Sequence, residues 1–171
     1  LFSGVNVPSK AFGEFVEHFT HHARLKPLPA PKGLTGTLRH YQATGFAWLV
    51  FLRQFGLGAC LADDMGLGKT IQAIALLLHL RAQGNKKPAL LVCPTSVVGN
   101  WQHELARFAP SLRVLVHHGG EREKERFARQ ATRRDVVLTS YALLHRDEKL
   151  LGEVKWGEVV LDEAQSIKNP E

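Results

Sequence analysis

The chain has 171 residues, of which 44% are hydrophobic and 22% are charged, and its formal net charge is +6. This composition excludes an intrinsically disordered chain and is typical of a globular protein with a sizeable core. No apolar run approaches the roughly 20 residues that span a bilayer, and no signal-peptide pattern is visible. The positive charge favours phosphate-bearing partners only weakly, because it does not say where the charges lie.

The two cysteines, Cys60 in GACLA and Cys93 in LLVCP, lie inside apolar runs. We interpret both as buried small hydrophobic residues, because neither a zinc-binding spacing nor a disulfide framework is present. A reducing compartment fits this cysteine usage. The first residue is Leu1 and the single methionine is Met65, which indicates a piece of a longer or processed protein.

Residues 1–33 are predicted to be the tail of an upstream segment. PSKAFGEFVEHFTHHARL has phenylalanines at helical spacing, and the Pro- and Gly-rich stretch KPLPAPKGLTG after it is typical of a linker. Glu14, His18 and His22 are spaced four apart, so a metal site is geometrically possible. No zinc pattern is complete, and we favour an exposed helix end. Residues 34–171 then form the main domain.

From Leu38 onwards, strand and helix patterns alternate. The predicted helices are LRHYQATGFAWLVFLRQF, TIQAIALLLHLRAQG (ended by Gly84), SVVGNWQHELARFA, EREKERFARQA and YALLHRD, and the predicted strands are GACLA, ALLVCP, LRVLVHH, DVVLTS and GEVVLDEA. Most of these strands are short, continuous and rich in Val and Leu, as parallel strands covered on both faces are. We therefore predict an α/β fold with a mostly parallel sheet between helices, whose ligands bind beyond the carboxyl ends of the strands.

The predicted helix EREKERFARQA and the residues after it carry a stripe of arginines, with Phe127 and Ala131 on the opposite side. Such a stripe could contact phosphates. Interleaved glutamates favour a solvated helix face instead, since pairs four residues apart stabilise exposed helices. The charged residues concerned are Arg122, Arg126, Arg129, Arg133, Glu121, Glu123 and Glu125.

LADDMGLGKTIQ contains the end of a phosphate-binding loop. In the usual pattern G-x-x-x-x-G-K-[ST], a glycine stands where this chain has Asp63. Gly66 and Gly68 supply backbone that bends freely, Lys69 is suited to the β- and γ-phosphates, and Thr70 to Mg²⁺. The alternative is a helix start with a chance lysine.

The segment VVLDEAQ places Asp162 and Glu163 at the end of an apolar strand. Paired carboxylates are common on surfaces, but beside a buried strand they are costly unless something binds them. An acidic residue there can hold Mg²⁺, and the next can polarise an attacking water. Together, the two segments favour ATP hydrolysis.

Several ordered segments resemble the first motor lobe of Swi/Snf-type ATPases, in the second helicase superfamily. They are ADDMGLGKT, LLVCPTSVVGNWQHELARFAP, VVLTSYALL and VVLDEAQSIKNP, with LRHYQATGFAWL similar to the adenine-side segment, and they cover roughly residues 34–171. The resemblance implies a RecA-like P-loop NTPase lobe, here truncated, and a variant loop that also lacks the first glycine. The DEAQ sequence and the segment around Trp101 resemble bacterial members. Gln165 departs from the more usual His, and Asp64 stands where Glu is commoner.

The resemblance also implies roles for individual residues. Gln42, with Arg39 nearby, is expected to read the adenine edge, while Trp101 is expected to pack in the core because it shares a helix face with Val97 and Leu105. Thr95, Thr139 and Ser140 match segments that contact the nucleic-acid backbone. The expected nucleotide-loop residues are Asp63, Asp64, Met65, Gly66, Leu67, Gly68, Lys69 and Thr70; the expected Mg²⁺ ligands are Thr70 and Asp162, and the expected catalytic residues are Glu163, Lys69 and Asp162.

The function implied is that of an ATP-dependent motor that moves along double-stranded DNA and remodels bound protein, in the cytoplasm near a bacterial nucleoid or in a eukaryotic nucleus. The alternatives are a strand-separating DNA or RNA helicase of the same superfamily and a non-hydrolysing ATP-binding scaffold. A GTPase is disfavoured because no Asn-Lys-x-Asp segment is present. Family members hydrolyse ATP between two lobes, so we expect these 171 residues alone to be nearly inactive. We also expect an open sheet edge through which two copies could pair.

Overall fold

A computed structural model describes residues 25–62, 66–120, 122 and 124–167. The predicted helix before residue 25, its possible metal ligands, and the loop residues Asp63, Asp64 and Met65 lie outside the described residues. The contacts divide the chain into two units, Leu1–Ala30 with Leu38–Gln72 and Pro31–Thr37 with Ala73–Glu171. Within the described residues, every helix is too short or too polar to cross a membrane.

The first unit contains helix α1 (His40–Gln54), which confirms the helix predicted from Leu38. Gln42, at the third helical position, accepts a hydrogen bond through Oε1 from the backbone N–H of Arg39 at 2.9 Å. This contact satisfies one of the donors that a helix start leaves unpaired. The buried residues of α1 are Gln42, Phe46, Ala47, Leu49, Val50 and Leu52.

The stretch GACLA is not a strand in this structure, so that prediction was wrong. Residues 58–62 have no regular secondary structure, and Cys60 is exposed rather than buried. Four of the five side chains are those of Gly, Ala or Cys, which offer a strand little area to bury. Apolar composition alone therefore misidentified both the strand and the burial of Cys60.

Helix α2 (Lys69–Ala82) begins directly after Gly68, so its first two residues belong to the predicted nucleotide loop. It ends as predicted near Gly84, which has φ +88° and donates its backbone N–H to the carbonyl oxygen of Arg81 at 3.0 Å. Glycine adopts this left-handed conformation without the penalty that a side chain brings, and it therefore ends many helices. The division between the two units falls within α2, after Gln72.

The second unit contains a sheet of four parallel strands, as the Val- and Leu-rich runs predicted. The strands are β1 (Ala89–Cys93), β2 (Val114–Val116), β3 (Val136–Ser140) and β4 (Glu158–Leu161). Their order is β2–β3–β1–β4, and Leu91 of β1 lies opposite Leu138 of β3 and Val160 of β4. All residues of β1 and β3 are buried, since these strands are the inner ones.

Helices cover both faces of this sheet. They are α3 (Val98–Phe108), preceded by a 3₁₀ turn (Thr95–Val97), then α4 (Phe127–Ala131), α5 (Tyr141–Arg146) and α6 (Glu148–Gly152); a second 3₁₀ turn (Ala164–Ser166) follows β4. Successive strand residues point to opposite faces. Leu91 and Cys93 therefore pack with α2 and α3, while Leu90 and Val92 pack with α4 and α6.

The helix predicted over EREKERFARQA is much shorter in the structure. Among the described residues of this stretch, the helix is Phe127–Ala131, and both Phe127 and Ala131 are buried. Arg122 lies outside the helix, and its side chain is 5% exposed because it pairs with Asp147. Glu121 and Glu123 lie outside the described residues. The predicted arginine stripe was therefore wrong for Arg122, since a tertiary ion pair took precedence over helical periodicity.

Strand β4 lies at one end of the four-stranded order, and only one side of it pairs with another described strand. Its burial alternates, with Val159 56% exposed and Leu161 43% exposed. Unpaired backbone groups and exposed apolar side chains on such a strand favour pairing with another chain. Dimerisation through this edge stays a prediction.

Candidate functional site

The carboxyl ends of the four strands lie at the same edge of the sheet, because the strands are parallel. Residues just beyond these ends include Thr95, two residues after β1, and, directly after their strands, His117 (β2), Tyr141 (β3) and Asp162 (β4). Loops at this edge of an open α/β sheet usually form the ligand site. The sequence predicted that Asp162 ends a strand, whereas Tyr141 was assigned no role.

Asp162 is held by three hydrogen bonds in the second unit. Its backbone N–H donates to the carbonyl oxygen of Val92 at 2.8 Å and so extends the β1–β4 ladder. Its carbonyl oxygen accepts from the hydroxyl of Tyr141 at 2.8 Å, and its Oδ2 accepts from the indole Nε1–H of Trp101 at 2.7 Å. Both the backbone and the carboxylate of Asp162 are therefore fixed by residues of other elements.

Glu163 has an unusual backbone conformation. It is the one non-glycine residue with positive φ among the described residues, with φ 51° and ψ 50°. Its Oε2 accepts a hydrogen bond from the side-chain amide of Gln165. Left-handed conformations cost a non-glycine residue about 1–2 kcal/mol and are concentrated at functional sites. The acidic pair thus combines a fixed carboxylate with a strained neighbour whose side chain Gln165 orients.

The groups around Asp162 have raised pKa values. Burial, together with the negative charge of Asp162, raises the pKa of the Cys93 thiol to about 11. The pKa of the Tyr141 hydroxyl is also raised, first by burial and then by the charges of Asp162, Cys93 and Glu163. Both groups are therefore protonated near neutral pH, and Tyr141 keeps the proton that it donates to the carbonyl of Asp162.

In the first unit, the structure describes residues 66–70 of the predicted phosphate loop. Gly66 has φ +86° and Gly68 has φ +78°, so both are left-handed. Lys69 is the first residue of α2, and Thr70 follows it, half-buried. Turns of this kind direct backbone N–H groups towards an anion, and a helix N-terminus adds partial positive charge.

Gln42 contacts this loop directly, a link that sequence reasoning missed. Its Nε2 donates to the carbonyl oxygen of Leu67 at 3.1 Å, while its Oε1 accepts from Arg39. The side chain is 8% exposed, and a Cβ placed on Gly68 would lie 2.5 Å from its Nε2. Gln42 therefore supports the phosphate loop, and its contact with adenine stays a prediction.

A family model described as the SNF2-related domain matches residues 41–171 of the chain. The chain belongs to the SNF2-related family. A putative ATP-dependent helicase/translocase of Bacillus subtilis, YwqA, is 49% identical over 98% of the chain, which spans 18% of that protein. The chromatin-remodelling ATPase INO80 of Arabidopsis thaliana is 45% identical over 83% of the chain, which spans 10% of that protein.

Solved structures support the same assignment of an α/β, RecA-like fold. The Sulfolobus solfataricus SWI2/SNF2 ATPase core in complex with double-stranded DNA matches 84% of the chain with a TM-score of 0.74 and 45% identity. The matched region is 29% of that core. This SNF2-related chain thus spans less than a third of each of the relatives named here, and the activity of the whole protein is a matter for proposal.

The three predicted nucleic-acid contacts of this SNF2-related chain differ in exposure. Thr95 is exposed in the 3₁₀ turn beyond β1. Thr139 is 0% exposed and Ser140 is 1% exposed, and neither hydroxyl has a hydrogen-bond partner among the described residues. Contact of Thr95 with nucleic acid agrees with its exposure, whereas contact by the other two hydroxyls would require them to become accessible. All three contacts stay predictions.

Among the described residues, no group of three or more His, Cys, Asp or Glu side chains is placed to bind a metal ion. Mg²⁺ in nucleotide sites is usually held by one or two carboxylates together with substrate phosphates. The carboxylate oxygens of Asp162 and Glu163 are of the type that Mg²⁺ prefers, and the fixed carboxylate of Asp162 fits this mode. The prediction that they share one nucleotide with Lys69 and Thr70 joins residues of different units and stays a prediction.

Proposed function

We propose that this chain is part of a Mg²⁺-dependent ATPase that uses hydrolysis to move along double-stranded DNA. The observation that carries the proposal is the acidic pair beyond β4, in which Asp162 is fixed by three hydrogen bonds and Glu163 is strained beside it. A binding scaffold has no need for a second carboxylate there. Membership of the SNF2-related family supports an ATP-driven activity.

The phosphate loop and the start of α2 would bind the triphosphate. Gly66 and Gly68 let backbone N–H groups approach the phosphate oxygens, and Lys69 adds a positive charge near the β- and γ-phosphates. The hydroxyl of Thr70 and the carboxylate of Asp162 are the groups that would hold Mg²⁺. When bound, Mg²⁺ would neutralise negative charge that develops on the phosphate oxygens during hydrolysis.

Glu163 would act as the general base. A carboxylate can orient a water and accept its proton when it lies within hydrogen-bond reach of that water. The hydrogen bond from Gln165 restricts the side chain of Glu163, and the backbone of Glu163 is left-handed. Gln42, with Arg39, would read the adenine base as well as support the loop.

Double-stranded DNA is the proposed track. A solved SWI2/SNF2 ATPase core with 45% identity to this chain is in complex with double-stranded DNA. Thr95 is exposed at the edge of the sheet that carries Asp162, which suits a contact with a phosphate backbone near the hydrolysis site. The proposed setting is the bacterial cytoplasm near the nucleoid, because a relative from Bacillus subtilis is 49% identical.

The test is Glu163→Gln in the full-length protein, with double-stranded DNA present. Glutamine keeps the size of the side chain and one acceptor oxygen but removes the base. We expect ATP affinity to change less than threefold and turnover to fall by about 10²-fold or more, within the range for loss of general-base catalysis. Unchanged turnover would remove Glu163 from the mechanism.

Movement on DNA and strand separation are distinguished by a second measurement on the same protein. Displacement of a third strand from a triplex reports movement along duplex DNA, whereas release of a labelled strand from a duplex reports unwinding. We expect displacement without unwinding. Unwinding of DNA or RNA would favour the strand-separating helicase, and ATP binding without turnover would favour the scaffold.

A further inference from the structure

Trp101 lies beside the proposed site, but the proposed function gives it no role. It belongs to α3, is 4% exposed, and packs in the core cluster that also contains Val98, Leu105 and Leu138. An indole has one hydrogen-bond donor and no acceptor. That donor is directed at Oδ2 of Asp162. The distance of 2.7 Å between Nε1 and Oδ2 is typical of a hydrogen bond to a charged acceptor.

The three contacts of Asp162 have different consequences. The bonds to Val92 and Tyr141 involve backbone atoms of Asp162, so they fix the position of the residue but leave its side chain able to rotate. Among the described residues, the indole of Trp101 is the one donor to the carboxylate. Oδ1 accepts no hydrogen bond from those residues. Trp101 therefore sets the orientation of the carboxylate.

We propose that Trp101 is a positioning residue for Mg²⁺ binding, acting through Asp162; this rests on the proposed function. Mg²⁺ requires near-ideal octahedral geometry, so a carboxylate that rotates freely binds it less well. A phenylalanine at position 101 would fill much of the same core space but would leave Oδ2 without its donor. Partners that orient a metal ligand typically change metal affinity by about 10–100-fold when they are removed.

A purely structural role is the competing explanation, since a buried indole N–H needs some acceptor. Trp156 provides the matched comparison within the same unit. It is half-buried, and its Nε1–H donates to the backbone carbonyl oxygen of Leu151 at 2.9 Å, with no link to Asp162. Trp156→Phe removes an indole hydrogen bond of ordinary structural type and leaves the carboxylate untouched.

The experiment measures binding of a non-hydrolysable ATP analogue to the full-length protein by calorimetry, once with Mg²⁺ and once with EDTA. The ratio of the two affinities reports the contribution of the metal and does not depend on turnover. For Trp101→Phe we expect this ratio to fall about 10-fold or more, with the affinity in EDTA unchanged within about twofold. For Trp156→Phe we expect no change in the ratio.

Asp162→Asn separates failure of this inference from failure of the proposed function. If the unmodified protein shows no Mg²⁺-dependent affinity, or Asp162→Asn leaves the ratio unchanged, the proposed function is overturned, and the role of Trp101 with it. If Asp162→Asn lowers the ratio but Trp101→Phe does not, only the role of Trp101 is overturned. In the Asp162→Asn background, Trp101→Phe should have no further effect on the ratio.

A second replacement covers the case in which Trp101→Phe does not fold. Benzothienylalanine has the shape of tryptophan, with sulfur in place of the indole N–H, so it retains the packing and removes only the donor. A reduced metal-dependent ratio with this residue at position 101 supports the positioning role. A ratio equal to that of the unmodified protein contradicts it.

Discussion

Gly68 shows how a single residue constrains the phosphate loop. Its φ of +78° favours glycine, and its missing side chain leaves room for the amide of Gln42, which would lie 2.5 Å from an added Cβ. Gly66 has a similar φ of +86°, but no heavy atom of the described residues lies within 4 Å of an added Cβ. A substitution at Gly66 therefore causes backbone strain alone, whereas the same substitution at Gly68 also displaces Gln42.

We predict that Gly68→Ala weakens ATP binding more than Gly66→Ala does. Both variants pay a left-handed backbone penalty of about 1 kcal/mol, but only Gly68→Ala also pushes Gln42 away from the carbonyl of Leu67. The measurement is ATP affinity in the full-length protein, alongside thermal unfolding. Gly99→Ala, at an open helical position, is the control and should leave binding unchanged. Equal losses from the two loop variants would contradict a role for Gln42 in supporting the loop.

At the scale of elements, a buried ion pair joins the segment before α4 to the junction of α5 and α6. Nε and Nη2 of Arg122 donate to the two carboxylate oxygens of Asp147 at 2.6 and 3.0 Å. His117, just beyond β2, also lies 2.8 Å from Oδ2 of Asp147, and both residues are buried. Arg122 lowers the pKa of Asp147 most, and burial opposes this effect only in part. The carboxylate therefore stays charged.

We predict that Arg122→Ala destabilises the protein by about 3 kcal/mol, because it leaves the buried charge of Asp147 without its main partner. Arg133→Ala is the matched control. Arg133 is exposed, and its removal should change the free energy of unfolding by less than about 0.5 kcal/mol. Denaturant unfolding of both variants is the measurement. If both variants change the free energy of unfolding equally, Arg122 belongs to the solvated helix face that the sequence predicted.

The same cluster predicts a dependence of stability on pH. Burial lowers the pKa of His117 below its ordinary value of 6.5; the charges of Arg122 and Lys124 act in the same direction, and Asp147 opposes them. A histidine with a lowered pKa in the folded state takes up its proton more readily when unfolded. The contribution of His117 to the free energy of unfolding is therefore fully present above about pH 6.5 and is lost as the pH falls below that value.

His117→Gln should reduce this loss, because glutamine does not titrate. The measurement is the free energy of unfolding between pH 7.5 and 5, compared with that of the unmodified protein. His118→Gln changes an exposed neighbour and serves as the control. If His117→Gln and the unmodified protein lose stability in parallel, His117 is not the group responsible.

The elements that depend on local pattern were predictable, and those that depend on tertiary contacts were not. Continuous apolar runs correctly identified β1 and β3, and helical spacing placed Trp101 in the core. Spacing carries no information on where an indole N–H points, so its bond to Asp162 was not predicted. The pairing of Arg122 with Asp147 spans 25 residues, and helical periodicity could not reveal it.

At the scale of the whole molecule, the exposed β4 edge leads to a prediction about association. Val159 is 56% exposed on a strand with one described neighbour. We predict that the 171-residue chain by itself dimerises with increasing concentration, measured by light scattering after size exclusion. Val159→Lys should prevent this, since a charge on an edge strand opposes pairing. A monomer at all concentrations would show that the edge does not self-associate.

The length of the relatives leads to the last prediction. The chain spans 18% of the Bacillus subtilis protein and 29% of the solved SWI2/SNF2 core, and the resemblance implies that a second lobe supplies arginines to the transferring phosphoryl group. Such arginines contribute about 10³–10⁵ in rate. We therefore predict that the 171 residues alone bind ATP weakly and hydrolyse it at least about 10³-fold more slowly than the full-length protein with DNA. Phosphate release by both proteins is the measurement, and Lys69→Ala in each sets the background. DNA-stimulated turnover by the 171 residues would place the whole catalytic machinery within this chain.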